Sequence, residues 1–229
     1  MNELPLLVLL VLLLLWGTVV GLDLVSVPQG LLSRPLVSAA VAGWFLGDLD
    51  TGLRVGAVLE LFALDVLPVG ASRYPEYGPA AVGAVLAASF LPPSIGIGIG
   101  VLLGLVVAIL AGWSLGWVRH ANARHLHRLA AEVNGGSVRA IWNLQWAGLG
   151  RDLVRSASMT VLALALAYGT FAVGPARWHF PTVVTQALIG VGLAAALSGA
   201  MRTAGQGRRL AWMGVGVAVG LVVALAVPA

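Results

Sequence analysis

An all-α, polytopic membrane helix bundle with broken or re-entrant helices in its N-terminal third is the fold this sequence predicts, and three observations predict it. Of 229 residues, 59% are apolar and only 10% are charged, whereas a soluble domain carries roughly a quarter charged residues. The mean hydropathy is +0.97. The apolar residues come in long runs, and at about 20 helical residues per crossing the length accommodates roughly six to eight membrane segments. The runs before position 78 are interrupted by charges and prolines, and the later ones are not. One integral membrane domain, 1–229, is expected, comprising a first membrane region with broken helices (residues 1–116), a cytoplasmic amphipathic segment (residues 117–155) and three transmembrane helices within 156–229. No room is left for a soluble catalytic domain.

Leu4 to Leu22 is an apolar run introduced by Glu3 and by no basic residue. A cleaved leader would have a shorter apolar core and positive flanks, so a retained first helix is expected. From Asp23 to Gly78 the apolar stretches are short, cut by Pro28, Pro35, Pro68 and Pro75 and by several charges. A stretch such as Leu36 to Leu46 is too short to cross a core of about 30 Å. Irregular backbone at membrane depth must be buried in protein or line a wet cavity, because lipid offers no hydrogen bonds. This region is therefore expected to face protein or substrate.

Pro79 to Leu91 and Ile95 to Trp113 are two further apolar stretches, divided by Pro92 and Pro93. Gly96, Gly98, Gly100 and Gly104 are spaced to let another helix backbone approach, as small residues do in membrane interfaces. Trp117 to Arg155 is the long polar stretch. Its first half, Arg119 to Val133, reads as an amphipathic helix stopped by Asn134, Gly135 and Gly136. Spans at about Ser156 to Val173, Pro181 to Met201 and Leu210 to Val227 follow.

All thirteen basic residues are arginine, and ten of them follow position 118, whereas seven of the nine acids precede position 77. The pI near 10.6 is compatible with nucleic acid, but arginines beside membrane spans record topology instead. The Trp117–Arg155 segment and the loop with Arg202, Arg208 and Arg209 then both fall on the cytoplasmic side, and no nucleic-acid partner is expected. Lipid headgroups and a partner protein are equally good readings for the basic segment.

The absence of cysteine excludes disulfides, thiol catalysis and thiolate metal sites. His120, His125 and His127 lie on the basic helix, but 125 and 127 point apart, so a solvated face is expected rather than zinc. No metal and no cofactor are expected. His179, beside Arg177 and Trp178, reads as an interfacial anchor. Asp23, Asp48, Asp50, Glu60, Asp65 and Glu76 lie in otherwise apolar surroundings. An ionisable side chain at membrane depth costs roughly 3 kcal/mol on insertion scales, so it usually faces a cavity and serves function. Glu60 is the sharpest case, with Arg54 or Arg73 as a structural partner in the competing reading. Asp48 suits a helix cap equally well. Carboxylates suit a sugar, because each oxygen accepts hydrogen bonds from hydroxyls, and they also suit a proton relay. An intramembrane aspartyl protease needs a second aspartate in a later span, and none is there.

Ser33-Arg34-Pro35, then Gly43, Gly47-Asp48, Gly52, Gly56 and Leu59-Glu60, then Val69-Gly70-Ala71 and Pro75, carry a family resemblance. The stretch resembles the IIC subunit of the mannose/fructose/sorbose class of bacterial phosphotransferase permeases. His120, Asn134-Gly135, Trp142 and Arg155 add a looser likeness. The resemblance implies a multi-pass, sugar-translocating subunit of the bacterial cytoplasmic membrane that assembles with a IID subunit as several IIC–IID pairs. Cytoplasmic IIA and IIB proteins would carry the phosphate, and IIC itself would have no catalytic residue. Glu60, Asp48 and Asp65 are the candidate substrate-binding residues. Arg34, Pro35, Gly43, Gly47, Gly52, Gly56 and Gly70 would shape the broken helices. A scaffold for a IID partner and a stand-alone proton-coupled carrier are the alternatives.

Overall fold

A computed structural model describes residues 5–27, 29–65, 73–173, 182–203 and 215. Gly70 and the neighbouring Pro68, Arg177 to His179, Arg208 and Arg209, and all of the expected span from Leu210 to Val227 except Val215 lie outside the described residues. Among those described, the regular elements are all helices: α1 Leu6–Asp23, α2 Pro35–Leu46, α3 Leu49–Leu64, α4 Tyr77–Ser89, α5 Pro93–Arg128, α6 Ala130–Asn134, α7 Val138–Val173 and α8 Thr182–Thr203. Four of these, α1, α5, α7 and α8, are long and apolar enough to cross a membrane.

The centre of the bundle is the short helix α4. Every residue from Tyr77 to Ala88 is buried. A helix apolar all round has no solvent face and belongs inside. At about 1.5 Å per residue it spans only about 20 Å, and α1, α2, α3, α5 and α7 pack around it. The glycine ladder of α5 fits against it as its spacing anticipates. A Cβ at Gly96 would stand 2.4 Å from the Ala88 carbonyl, and one at Gly100 would stand 2.5 Å from that of Ala84. Gly83 meets Ala163 of α7 in the same way. Helix association in lipid relies on such backbone proximity rather than on burial from water.

Two boundaries differ from the sequence expectation. The helices α5 and α7 each run for 36 residues, about 54 Å, through positions 117 and 155 without a break. The polar stretch 117–155 is therefore the far ends of two membrane helices joined by α6, not a segment separate from them. Gly135 and Gly136 do stop the chain there, and Gly136 takes a φ of 77°. The separate amphipathic helix Arg119–Val133 is instead the end of α5 followed by α6. Helix continuity is favoured because each added residue gains a hydrogen bond once a helix exists, so polar composition alone does not end it.

Between α1 and α2 the backbone is irregular, and Gln29 and Leu31 have positive φ. Asp23, itself buried, holds this turn by accepting hydrogen bonds from the backbone N–H of Gly30 and of Ser33, the latter at 2.9 Å. The irregular segment thus finds its partners inside the protein, as backbone remote from water must.

Candidate functional site

The motif glycines and carboxylates converge on one helical hairpin, α2 and α3. Pro35 occupies the first turn of α2, where its missing N–H costs nothing. Gly47, at φ 72°, ends α2 in the left-handed region, and the Asp48 N–H donates back to the Gly43 carbonyl at 2.8 Å. This glycine-closed ending reverses the chain within two residues. Asp48 then caps α3, its Oδ1 accepting the Thr51 N–H at 3.0 Å. Gly43 and Gly52 let the two helices touch: a Cβ at Gly52 would lie 2.6 Å from the Ala39 carbonyl, and one at Gly43 2.8 Å from the Gly52 Cα. Gly56 faces Pro35 and Leu36 at the open end.

Glu60 closes that open end. One carboxylate oxygen accepts from the Arg34 guanidinium, and the other accepts the Leu36 N–H at 3.2 Å. Leu36 is in the first turn of α2, whose N–H groups have no helical partner and favour an anion. The ion-pair partner is therefore Arg34, not the Arg54 or Arg73 expected from sequence. Arg54 pairs with Asp50 at 2.8 Å on the exposed face of α3. Asp65 caps the C-terminal end of α3, five positions beyond Glu60 and against Gly199 of α8. Glu60 and Asp48 are twelve positions apart on one helix, about 18 Å along its axis. One monosaccharide cannot touch both; Asp48 sits at the hairpin tip and Glu60 at the open end.

A second charged cluster, which the sequence does not reveal as a cluster, lies inside the bundle. Arg155 of α7 makes a two-pronged contact with Glu76, donates from Nε to Asp152 at 2.7 Å and from Nη2 to the Gly21 carbonyl at 3.1 Å. Asp152 also accepts from the Ser26 hydroxyl. Glu76 and Asp152 are 1% exposed and Arg155 is 6% exposed. The guanidinium fork matches two carboxylates at once, a geometry an ammonium group does not offer. Next to it, Ser156 and Thr160 pack over Gly21 and Gly17 of α1, and Ser156 donates to the Thr18 carbonyl at 2.8 Å. The cluster ties α1, α4 and α7 together. Arg155 and Asp152 read in sequence as charges of a solvated loop. The available signal is their i, i+3 spacing directly before the small polar residues Ser156 and Thr160, which mark an inward face.

Two cavities lie toward the arginine-rich ends of α5 and α7. One, of about 1040 Å³, includes Arg73, Trp113, Trp117, Arg124 and Arg151 in its lining. The other, of about 350 Å³, includes Ser26, Arg119, Asn122, Gln145 and Asp152. Neither is lined by Glu60, Asp48 or Asp65. His120 bonds the Gly116 carbonyl, and His125 meets Arg151.

Long apolar helices around a buried core helix, with a motif-bearing hairpin at the side, define an integral membrane helix bundle. The family model described as the PTS system sorbose-specific IIC component matches residues 7–200. The chain belongs to this family, the membrane sugar-transport subunits of the mannose/sorbose/fructose class of phosphotransferase systems. It is 29% identical over 203 residues to the fructose permease IIC component of Bacillus subtilis, covering 88% of this chain and 72% of that protein. Over 155 residues it is 29% identical to the mannose-specific EIIC component of Escherichia coli K12, covering 68% of this chain and 57% of that protein. It spans 28% of the sorbose-specific EIIC component of Klebsiella pneumoniae at 39% identity, over 33% of this chain. Among solved structures, one described as a membrane protein superposes with a TM-score of 0.65 at 24% identity, covering 97% of this chain and 94% of that one. A chain of the mannose transporter ManYZ, solved in complex with microcin E492, superposes with a TM-score of 0.52 at 23% identity, covering 96% and 94%. These two likenesses concern the fold.

Proposed function

We propose that this chain carries a sugar across the bacterial cytoplasmic membrane as the IIC subunit of a phosphotransferase system, with a IID subunit beside it in repeated IIC–IID pairs. IIA and IIB proteins on the cytoplasmic side pass phosphate to the sugar as it arrives, and the chain itself transfers none. The α2–α3 hairpin is the sugar-binding element. It moves against the long helices in an alternating-access cycle, in keeping with transporters whose sites are built from interrupted helices. The basic ends of α5 and α7 face the cytoplasm.

The observation that carries this reading is the Arg34–Glu60 ion pair at the open end of the hairpin, with side chains 38% and 19% exposed. A carboxylate that is still 19% exposed retains lone pairs for sugar hydroxyls, and Asp65 stands about one helical turn and a half further on. Asp48, occupied in capping, contributes by holding the hairpin tip in shape.

The experiment is sugar uptake by the complex reconstituted with its IID, IIA and IIB partners. Glu60→Gln keeps the side chain's shape and removes its charge. Uptake is expected to fall by about tenfold or more, the loss of a charge-assisted hydrogen bond. Uptake and sugar affinity equal to wild type would remove Glu60 from the site. A second reading, a scaffold whose IID partner makes the sugar contacts, has its own support: Glu60 and Asp48 both already have partners within the hairpin. It predicts that Glu60→Gln lowers the yield of assembled complex and leaves sugar affinity per complex unchanged.

A further inference from the structure

The larger groove at the arginine-rich end has a chemistry that the sugar site does not use. It runs between α5 and α7 beside the segment that leads into α4. Arg73, Arg124 and Arg151 line it, together with Trp113 and Trp117, and no acidic residue is among its described lining. Arg151 is held in place by the Asn122 Oδ1 at 2.7 Å and the His125 Nδ1 at 3.0 Å, neither of them a carboxylate, so its charge is oriented but not offset by an acid. Arg73 and Arg124 form no salt bridge among the described residues.

The depth of the groove follows from α5. From Ile95 to Val118 this helix carries no charge, a length of about 36 Å that slightly exceeds the hydrocarbon core. Trp113 and Trp117 therefore fall at its boundary with the headgroups, where tryptophan is favoured because its ring is apolar and its N–H is polar. They are 62% and 85% exposed, too open for core residues. Val118 and Val154 continue the apolar wall. An apolar wall at the membrane edge under a ring of uncancelled arginines matches a ligand with an anionic phosphate and acyl chains.

We propose that this groove is a binding site for an anionic phospholipid, its phosphate among Arg73, Arg124 and Arg151 and its acyl chains leaving past Trp113 and Trp117. A guanidinium meets phosphate oxygens in pairs, and each arginine near an anionic headgroup adds favourable energy. A lipid seated there bridges α5, α7 and the segment before α4. It thereby clamps the long helices α5 and α7 together.

The test is native mass spectrometry of the purified full chain, titrated with phosphatidylglycerol or with phosphatidylcholine of the same acyl composition. One phosphatidylglycerol is expected to remain bound with an apparent Kd lower than that of phosphatidylcholine by about tenfold or more. The double variant Arg73→Gln, Arg124→Gln is expected to lose most of this preference, whereas Arg128→Gln, on α5 but outside the groove lining, keeps it. Excess inorganic phosphate is not expected to displace the lipid, because the acyl contacts remain. Equal retention of the two lipids by the wild-type chain overturns the proposal, as does a preference that survives in the double variant. Displacement by inorganic phosphate alone would identify a free-phosphate site instead. A groove built for a protein partner would show no headgroup preference in the isolated chain. None of these outcomes depends on where the sugar binds.

Discussion

The two charged clusters of this protein use similar residues in opposite settings. In the α2–α3 hairpin one arginine meets one glutamate at a partly exposed edge, and glycines bring the helices into backbone contact. In the bundle interior one arginine meets two carboxylates, and the side chains of its pair with Glu76 are only 4% and 0% exposed. A partly wet ion pair contributes little to stability, about 1 kcal/mol or less, and it can be broken and remade. A dry one leaves a costly orphan charge if either side is removed. The edge cluster is therefore suited to an element that changes partners, and the interior cluster to one that holds still.

The largest effect expected from this contrast is at Arg155. Arg155→Met leaves Glu76 and Asp152 buried without their cation, a loss of about 3–5 kcal/mol, and folded protein recovered from membranes should fall sharply in a fluorescence-detected gel-filtration assay. Arg155→Lys should recover only a fraction of it, because one ammonium cannot reach both carboxylates in the same geometry. A normal yield of Arg155→Met would mean that the interior cluster is wetter than its burial indicates, and the contrast would dissolve.

Next in size is Gly52→Val, which drives side-chain atoms into the Ala39 carbonyl and should cost about 1–3 kcal/mol, read as a lower thermal midpoint in detergent. Asp48→Ala removes the α3 cap and should cost about 1 kcal/mol. Asp48→Asn, which can still cap, should restore the midpoint. Smallest in stability is Glu60→Gln, expected to stay within about 1 kcal/mol of wild type although uptake falls. That separation of stability from transport sharpens the comparison most, since the interior variants should lose both together.

The features legible in sequence are those set by neighbours along the chain. Gly47 and Asp48 mark the hairpin tip because one ends a helix in a left-handed turn and the other begins the next with a side-chain cap. The spacing of Gly96, Gly100 and Gly104 announces a close helix contact, and α4 provides it. Glu60 stands out because a charge amid Val55 to Leu64 needs a reason. Its partner does not, because Arg34 is 26 positions away and nothing local distinguishes it from Arg54, which lies nearer and pairs with Asp50. Arg155 is harder still. An arginine next to an apolar run reads as a flank on the cytoplasmic side, and only Glu76, 79 positions earlier, draws it inward.

Composition and local pattern alone established that this is a membrane protein with short, interrupted apolar stretches before position 78, and the resemblance of its motif pointed to the family. Those properties depend on residue type and on spacing within a turn or two of helix. The tertiary structure decided which charges meet, which end of the hairpin each carboxylate occupies, and that the polar stretch after position 117 continues two membrane helices. An ion pair is a contact between helices, and its partners are chosen by how those helices pack in space, where separation along the chain has no bearing on distance.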